Sequence, residues 1–295
     1  MHSQPTYPER RYNHRGILDP NGFADEVTLR CYEPGPASEP FVDVYFVARW
    51  QRPGQKDYQA TDILTRPVVN LFFTNQGSFY NGVTQGTRSF RIGPNGVYAG
   101  IKFKPGAFRA FWKQPMSALA DARHAASDIF PAINPAFVSQ LLDHSDDQEA
   151  IRAMERLILD AHPYNDPKIK LVNRIITSIE TSEVPPSVSS LAKASNMSAR
   201  SLQFLFQNYI GVGPKWAIKR WRLLQTIQQA ARPDKPNWTA VAAELNYSTQ
   251  SHFSNDFRQL LGISPSRYAQ LVRGSQPKNS KTADSQLLAG APITT

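Results

Sequence analysis

The sequence contains one cysteine, Cys31, in 295 residues. A single cysteine cannot form a disulfide within the chain. No stretch approaches the roughly 20 consecutive apolar residues that a membrane-spanning helix needs, and the polar, charged N-terminus has no apolar run of signal-peptide length. These absences predict a soluble protein of a reducing compartment that has no membrane partner.

Motifs of catalytic and cofactor sites are also missing. The six histidines are scattered, without the His-x-His or His-x-x-x-His spacing of common metal sites. There is no Gly-x-Ser-x-Gly nucleophile turn, no Walker-type phosphate loop and no Gly-x-Gly-x-x-Gly turn. Asp146, Asp147 and Glu149 form an acidic cluster, but they lie at the start of a predicted helix, where negative charge is favourable. We therefore expect a protein that is not an enzyme and has no metal ion or cofactor.

The sequence does contain an internal repeat between residues 188 and 265. The first copy has Leu191-Ala192, Asn196, Ser198, Phe206, Gly211 and Pro214, which recur as Val241-Ala242, Asn246, Ser248, Phe257, Gly262 and Pro265. Each copy predicts a short apolar helix, a turn and a longer helix, with Ser198 and Ser248 capping the two longer helices. This order is typical of a helix-turn-helix.

The longer helix of each copy has one apolar and one polar face, because side chains three or four positions apart share a side of a helix. The apolar faces hold Leu202, Leu205, Phe206 and Tyr209 in the first copy, and Phe253, Phe257 and Leu260 in the second. The polar faces hold Arg200, Gln203, Phe204 and Gln207, and then Ser251, Ser254, Asn255 and Arg258. Such polar side chains hydrogen-bond to base edges and phosphates. A merely solvated face is also polar, but the duplicated spacing favours DNA binding.

Positive charge is concentrated around the repeat. Residues 167–273 contain 14 Lys and Arg against 5 Asp and Glu, a net charge of +9, whereas residues 1–166 contain 17 against 18, a net charge of −1. A localised positive charge displaces counterions from DNA phosphates, so that binding weakens steeply with salt. The charge distribution therefore predicts that the repeat region binds double-stranded DNA.

Residues 168–271 resemble the DNA-binding domain of AraC/XylS-type transcription regulators. The resemblance is carried by Gly211-Val212-Gly213-Pro214 and Gly262-Ile263-Ser264-Pro265, which close the two units, and by the stretch from Ala242 to Phe257. It implies a bacterial, cytoplasmic regulator of promoter DNA, more often an activator, that contacts RNA polymerase and forms a possible homodimer. It also implies seven helices, in which a linker helix from about Pro214 to Ala231 joins two helix-turn-helix units.

Carrying the family's contacts over by position gives two sets of site residues. The base-contacting set is Arg200, Gln203, Phe204, Ser251, His252, Ser254 and Asn255. The phosphate-contacting set is Ser198, Gln207, Lys215, Arg220, Thr249 and Arg258. Three positions leave alternatives open: Phe204 contacts a thymine methyl or packs against the protein, Asn255 contacts adenine or phosphate, and His252 contacts a base or makes a structural hydrogen bond.

The N-terminal part of the chain has a different pattern. Segments 41–50, 68–74 and 97–103 are rich in Val, Ile, Phe and Tyr and are separated by turn signals, which predicts short strands and hairpins. Residues 115–160 predict two or three helices. The fold class is therefore multidomain α and β: a β-rich, barrel-like domain with trailing helices, followed by an all-α domain. Segment 100–109 resembles a stretch of regulators whose sensory domain is cupin-like.

A small-molecule effector follows from the same resemblance. If Lys102, Lys104 and Arg109 converge, they hold an anionic effector. The alternative is that Lys102 and Lys104 form the solvated face of a strand whose Ile101 and Phe103 point inward. A further alternative is that the N-terminal domain only dimerises.

The domain boundaries are placed at breaks in the pattern. We predict a sensory or dimerisation domain at 1–163, a DNA-binding domain at 164–273 and a disordered tail at 274–295. A second class of function stays open, because some proteins with this DNA-binding module repair DNA by accepting an alkyl group on a reactive cysteine. In this chain that role falls to Cys31, next to Arg30.

Overall fold

The computed structural model describes residues 5–11, 16–52, 58–230 and 236–274. From residue 275 onward, the predicted disordered tail lies outside these ranges. None of the helices in the described ranges has the length and apolarity that crossing a membrane requires.

The N-terminal domain is built on two antiparallel sheets. Its strands are β1 (Glu9–Arg10), β2 (Thr28–Tyr32), β3 (Val42–Gln51), β4 (Tyr58–Ile63), β5 (Asn70–Thr74), β6 (Gly77–Asn81), β7 (Arg88–Ile92), β8 (Asn95–Phe103) and β9 (Arg123–Ala125). The larger sheet has the order β1-β2-β3-β8-β5-β6-β9, and β4 pairs with β7 in the smaller one. Residues from both sheets line one cavity, so the smaller sheet covers a face of the larger. The prediction of a β-rich N-terminal domain is confirmed, and its cupin-like character stays a prediction.

The opposite face of the larger sheet packs against helices. These helices are α2 (Pro135–Asp143) and α3 (Asp147–Asp160), whereas α1 (Pro20–Glu26) lies on the cavity side, where its Phe23 lines the cavity. Phe73 of β5 contacts the ring of Phe137 of α2 at 6.0 Å between centroids, and Ile101 and Phe103 of β8 are fully buried. Because side chains alternate along a strand, the neighbours of these residues face the cavity instead. The helices predicted between residues 115 and 160 are therefore present, and they supply the main apolar core of this domain.

Seven helices form the described part of the C-terminal domain. They are α4 (Pro167–Thr181), α5 (Val188–Ala194), α6 (Ala199–Tyr209), α7 (Pro214–Ala230), α8 (Trp238–Glu244), α9 (Gln250–Leu261) and α10 (Pro265–Gly274). Helices α5 and α6 form the first helix-turn-helix unit and α8 and α9 the second. Helix α7 lies between the two units, and its residue range is nearly that of the predicted linker helix.

The turns of the two units have the same backbone structure. Asn196 and Asn246 have φ angles of 52° and 57°, in the left-handed region that Asn tolerates better than most residues. Each amide donates to the carbonyl three residues earlier, at 3.1 Å for Asn196 and 2.9 Å for Asn246. The repeated asparagine is therefore explained by backbone geometry, and the two units are structural copies.

The two domains share one continuous apolar core. Tyr268 of α10, the helix that follows the second unit, donates to the Leu18 carbonyl of the N-terminal domain at 2.7 Å. Gly211, at the end of the first unit, lies so close to the 116–117 backbone that a Cβ at this position would be 2.7 Å from the Met116 carbonyl oxygen. The first unit and the last helix are thus packed against the N-terminal domain.

Candidate nucleic-acid interface

Helix α6 presents the first candidate reading face. The hydroxyl of Ser198 accepts a hydrogen bond from the Ser201 amide at 3.0 Å, so Ser198 caps the helix as predicted. The four apolar side chains predicted to face inward are buried. Arg200, Gln203 and Phe204 are exposed, Phe204 to 70%. Phe204 therefore does not pack against the protein, and the alternative of an apolar contact with DNA remains.

Helix α9 presents the second face, with one correction. The cap is Thr249, whose hydroxyl accepts from the His252 amide at 3.1 Å, and the prediction that Ser248 caps this helix is wrong. Ser248 lies one residue further out, 3.3 Å from His252 Nδ1. The His252 ring also lies edge-on against Tyr247. Of the two alternatives for His252, a base contact or a structural hydrogen bond, the structure shows contacts of the structural kind. The side chain is nevertheless exposed.

The other residues of the second face lie at or near the surface. Ser251, Asn255 and Arg258 are exposed and Ser254 is half-buried, whereas Phe253 and Phe257 are fully buried beneath them. The division into an inner and an outer face is therefore the one predicted. Their contacts with bases or phosphates stay predictions.

Helix α7 holds the second unit through side-chain contacts along its length. Lys219 Nζ lies 2.8 Å from Asp256 Oδ1 of α9. The Arg222 guanidinium lies 5.2 Å from the centre of the Tyr247 ring, within cation–π range. Gln229 donates to Glu244 of α8 at 3.3 Å. These contacts fix the orientation of the second reading helix relative to the linker.

Arg220 of α7 is the clearest correction to the predicted phosphate contacts. It is only 2% exposed, and its guanidinium donates to the backbone carbonyls of Thr84, Gln85 and Gly86 in the N-terminal domain. The same group lies 4.5 Å from the centre of the Trp216 ring. Burial lowers the pKa of Arg220 to about 10. A side chain held in this way cannot reach a phosphate, so the prediction for Arg220 is wrong. Lys215, one turn earlier, is exposed.

The three predicted effector residues do not converge. Lys102 and Lys104 line a cleft between the domains, and Lys104 pairs there with Glu39. Arg109 is not part of that cleft; its guanidinium donates to the Trp112 carbonyl and lies 6.0 Å from the centre of the Tyr209 ring. The solvated-face alternative is correct that Ile101 and Phe103 point inward. It is incomplete for Lys102, because this half-buried side chain lines the cavity between the sheets as well as the cleft.

Lys102 belongs to a group of charges at the junction of the cavity and the cleft. Arg66 donates to both carboxylate oxygens of Glu180 on α4, and its Nη1 lies 3.3 Å from Asp43 Oδ2. Arg10 also pairs with Asp43, at 3.2 Å. Burial, reinforced by Arg66, lowers the pKa of Lys102 to about 8. Sequence patterns missed Arg66 because it lies in the connection between β4 and β5, with no periodicity to mark it.

Cys31 has the opposite of an activated environment. The side chain is 1% exposed, and burial raises the pKa of its thiol to about 12. A reactive cysteine needs an accessible thiolate near neutral pH. Cys31 is therefore unsuited to accept an alkyl group from DNA.

Across the described ranges, no three His, Cys, Asp or Glu side chains are grouped closely enough to hold a metal ion.

Two family models match separate parts of the chain. A helix-turn-helix domain model matches residues 191–270, which include both reading helices. A second model, described as a domain of unknown function (DUF6597), matches residues 30–125 of the sheet domain.

Two known proteins with similar sequences are described as transcription regulators. The chain is 29% identical over 143 residues to a probable transcriptional regulator, LumQ, from Photobacterium leiognathi, covering 46% of this chain and 57% of that protein. It is 32% identical over 81 residues to a putative AraC-like transcription regulator from Streptomyces antibioticus, covering 28% and 26%. Each match thus covers less than two thirds of the relative.

A solved structure, that of ToxT from Vibrio cholerae, aligns with 77% of this chain and 97% of its own at 12% identity and a TM-score of 0.39. The sequence matches, rather than this alignment, identify the domain. Residues 191–270 thus form a helix-turn-helix domain, and part of the chain is similar in sequence to an AraC-like transcription regulator.

Proposed function

We propose that this protein is a sequence-specific transcription regulator that binds double-stranded promoter DNA through both helix-turn-helix units. The observation that carries the proposal is the duplication of one reading geometry. Two helices of the same domain, each preceded by the same left-handed asparagine turn, expose polar faces above buried aromatic side chains. In a helix-turn-helix, such a helix enters the major groove.

The residue types on the two faces suggest how the sequence is read. Arg200 suits the bidentate acceptor pair of guanine, and Asn255 suits the donor and acceptor of adenine. The exposed ring of Phe204 suits the methyl group of thymine. Lys215 and Arg258 are exposed cations near the ends of these helices and suit phosphates.

The remaining partners are part of the same proposal. A regulator of this kind recruits RNA polymerase, and a small effector in the N-terminal domain changes how the two units are held. Arg220 and the Arg66–Glu180 pair are the contacts through which such a change reaches the C-terminal domain. The proposal also includes association of two chains, although one chain already carries two reading helices.

Selection of bound genomic fragments by the full chain tests the proposal. We expect a discrete set of fragments with a shared motif, and affinity that falls steeply between low and high salt. Recovery of random fragments with no common motif, or affinity independent of salt, contradicts sequence-specific DNA binding.

A further inference from the structure

An ion pair lies beside the second reading face. Asp256 Oδ1 of α9 is 2.8 Å from Lys219 Nζ of the linker helix α7. The carboxylate follows directly after Asn255, which is exposed on the reading face. An uncompensated negative charge at this place would repel the phosphates of DNA, and Lys219 neutralises it. Asp256 is therefore expected to act on the position of α9 rather than on the DNA itself.

The matching position of the first unit is apolar. Alignment of the two helix caps, Ser198 and Thr249, places Asp256 opposite Leu205. Leu205 is buried, so apolar packing holds α6 at this point. The hydrophobic effect has no preferred direction, whereas a charge-assisted hydrogen bond has a defined geometry. The two otherwise similar units thus differ in how their reading helices are attached.

A second contact from α7 lies at the turn that precedes α9. Arg222, three positions after Lys219, lies 5.2 Å from the centre of the Tyr247 ring. This ring is buried and packs edge-on against Phe253 of α9 at 5.5 Å. Burial and then the nearby Asp256 carboxylate raise the pKa of Tyr247. The linker helix therefore holds α9 at two places, one before its first residue and one about 9 Å along its axis.

Two places of attachment fix the rotation of α9 about its own axis. Consecutive side chains of a helix are about 100° apart, so Asn255 faces outward when Asp256 faces α7. A rotation of about 20° would move atoms at the surface of a helix by about 2 Å. The length of N–H···O hydrogen bonds varies over only roughly 0.5 Å. Such a rotation would therefore break a bidentate contact between Asn255 and adenine.

We propose that Asp256 is a positioning residue for sequence recognition by the second unit. Through Lys219, it holds α9 at the angle at which Asn255 and its neighbours reach base edges. This inference rests on the proposed function and deepens it, because it assigns the specificity of one unit to a residue that acts through another. The first unit, which has Leu205 at the matching position, does not depend on the pair.

Two variants of the full chain, Asp256→Ala and Asp256→Asn, separate position from charge. Both remove the negative charge, but asparagine keeps an oxygen that can accept a hydrogen bond from Lys219. The Lys219 side chain is 41% exposed and can turn towards solvent, so neither variant leaves a buried unpaired charge. Urea unfolding checks that both variants fold. Competition between the DNA selected by the parent protein and its single-base variants measures base preference in each region of the binding site.

We expect Asp256→Ala to lose base preference at least fivefold in the region read by Asn255 and to keep it in the region read by Arg200. Asp256→Asn should keep at least half of the preference in both regions. Glu183→Ala, which removes an exposed negative charge from the same domain, should leave base preference unchanged. Equal losses in Asp256→Ala and Asp256→Asn would show that only the charge matters and would overturn the proposal. Unchanged preference in Asp256→Ala would overturn it as well.

Exchange of the two charges tests the pair itself. Lys219→Asp should lose the same preference, and its combination with Asp256→Lys should recover it, because the ion pair forms again with the same total side-chain length. A folded double variant without recovery contradicts the role of the pair. A parent protein that selects no DNA motif refutes the proposed function and this inference with it. A parent protein whose two-region motif is unaffected by these variants refutes this inference alone.

Discussion

Individual arginines in the C-terminal domain have contrasting environments, which sets what each can do. Arg200 is exposed on the reading helix, whereas Arg220 is buried against the carbonyls of residues 84–86. Both belong to the region of concentrated positive charge, so charge alone does not distinguish them. Solvent exposure therefore separates a candidate DNA contact from a contact between domains.

Arg200→Ala should relax base preference at one or two positions of the binding site. A bidentate contact between arginine and guanine contributes about 1–3 kcal/mol of discrimination. Competition binding with single-base variants of the selected DNA measures this loss. Lys113→Ala removes an exposed charge from the N-terminal domain and should leave base preference unchanged. A uniform loss across all sequences shows that Arg200 holds only phosphate.

Lys215→Ala should instead weaken binding to all sequences alike. One phosphate contact fewer lowers the slope of log affinity against log salt by about one unit. Titrations of the parent and variant proteins at several salt concentrations give the two slopes. An unchanged slope contradicts a phosphate contact at Lys215.

Lys102→Met should raise the free energy of unfolding at pH 7, because the parent protein holds a half-buried ammonium group whose pKa is lowered from 10.5 to about 8. The difference corresponds to at most about 3 kcal/mol at one pKa unit per 1.36 kcal/mol. Since the folded pKa lies below the unfolded one, the penalty is complete below pH 8 and disappears as the pH rises to 10.5. Cys31, Asp43, Arg66 and Glu180 face the same group and are present in both proteins.

Urea unfolding of the parent and Lys102→Met proteins at pH 7 and pH 10 measures the effect. Lys104→Met is the control and should show no comparable gain. A destabilised Lys102→Met protein at pH 7 contradicts the account of Lys102 as a cation whose charged form is disfavoured by burial.

At the scale of single elements, the caps of the reading helices differ in position. Thr249→Ala should lower the free energy of unfolding by about 1 kcal/mol, because it removes the acceptor for the His252 amide at the start of α9. Ser248→Ala is the matched control and should cost clearly less. Denaturant unfolding compares the two, and the reverse ranking would restore Ser248 as the cap.

The turns give a second test at this scale. Asn196→Gly should be close to neutral, whereas Asn196→Ala should be destabilising, because alanine disfavours the φ of 52° found there. Asn246 should follow the same order. Unfolding curves for the four variants check it, and equal effects of Gly and Ala would contradict a conformational role for the asparagines.

The helices and strands could be predicted from the sequence more fully than the contacts that they make with one another. The period of Leu202, Leu205 and Phe206 predicted the buried face of α6, because burial repeats with the turn of the helix. Adjacent Ser248 and Thr249 offered two caps one residue apart, and periodicity does not choose between them. The alternation of side chains along β8 likewise predicted that Lys102 and Ile101 face opposite sides of the sheet. It did not reveal that the smaller sheet covers the side on which Lys102 lies.

At the scale of the whole molecule, Arg220 joins the linker helix to the N-terminal domain. Its partner Thr84 also lines the cavity between the sheets. No local pattern in α7 predicts this contact, since residues 84–86 are more than 130 positions away. The same residue therefore connects the cavity to the helix that orients both reading units.

Arg220→Met should loosen the contact between the domains. The carbonyls of residues 84–86 lose their shared donor, at a cost of about 1–3 kcal/mol if they stay buried. Amide hydrogen exchange should accelerate in segment 84–86 and along α7. Lys219→Met, whose parent side chain pairs with Asp256 inside the C-terminal domain, should not accelerate exchange in 84–86. Unchanged exchange there in Arg220→Met contradicts a linking role.

The most direct test of the central claim is hydroxyl-radical footprinting of the full chain on its selected DNA, combined with Arg200→Ala and Asn255→Ala. Two reading helices in successive major grooves predict two protected regions about 10–10.5 base pairs apart on one side of the duplex. We expect Arg200→Ala to relax base preference in one region and Asn255→Ala in the other. A single protected groove, or loss of preference at the same bases in both variants, would contradict the account.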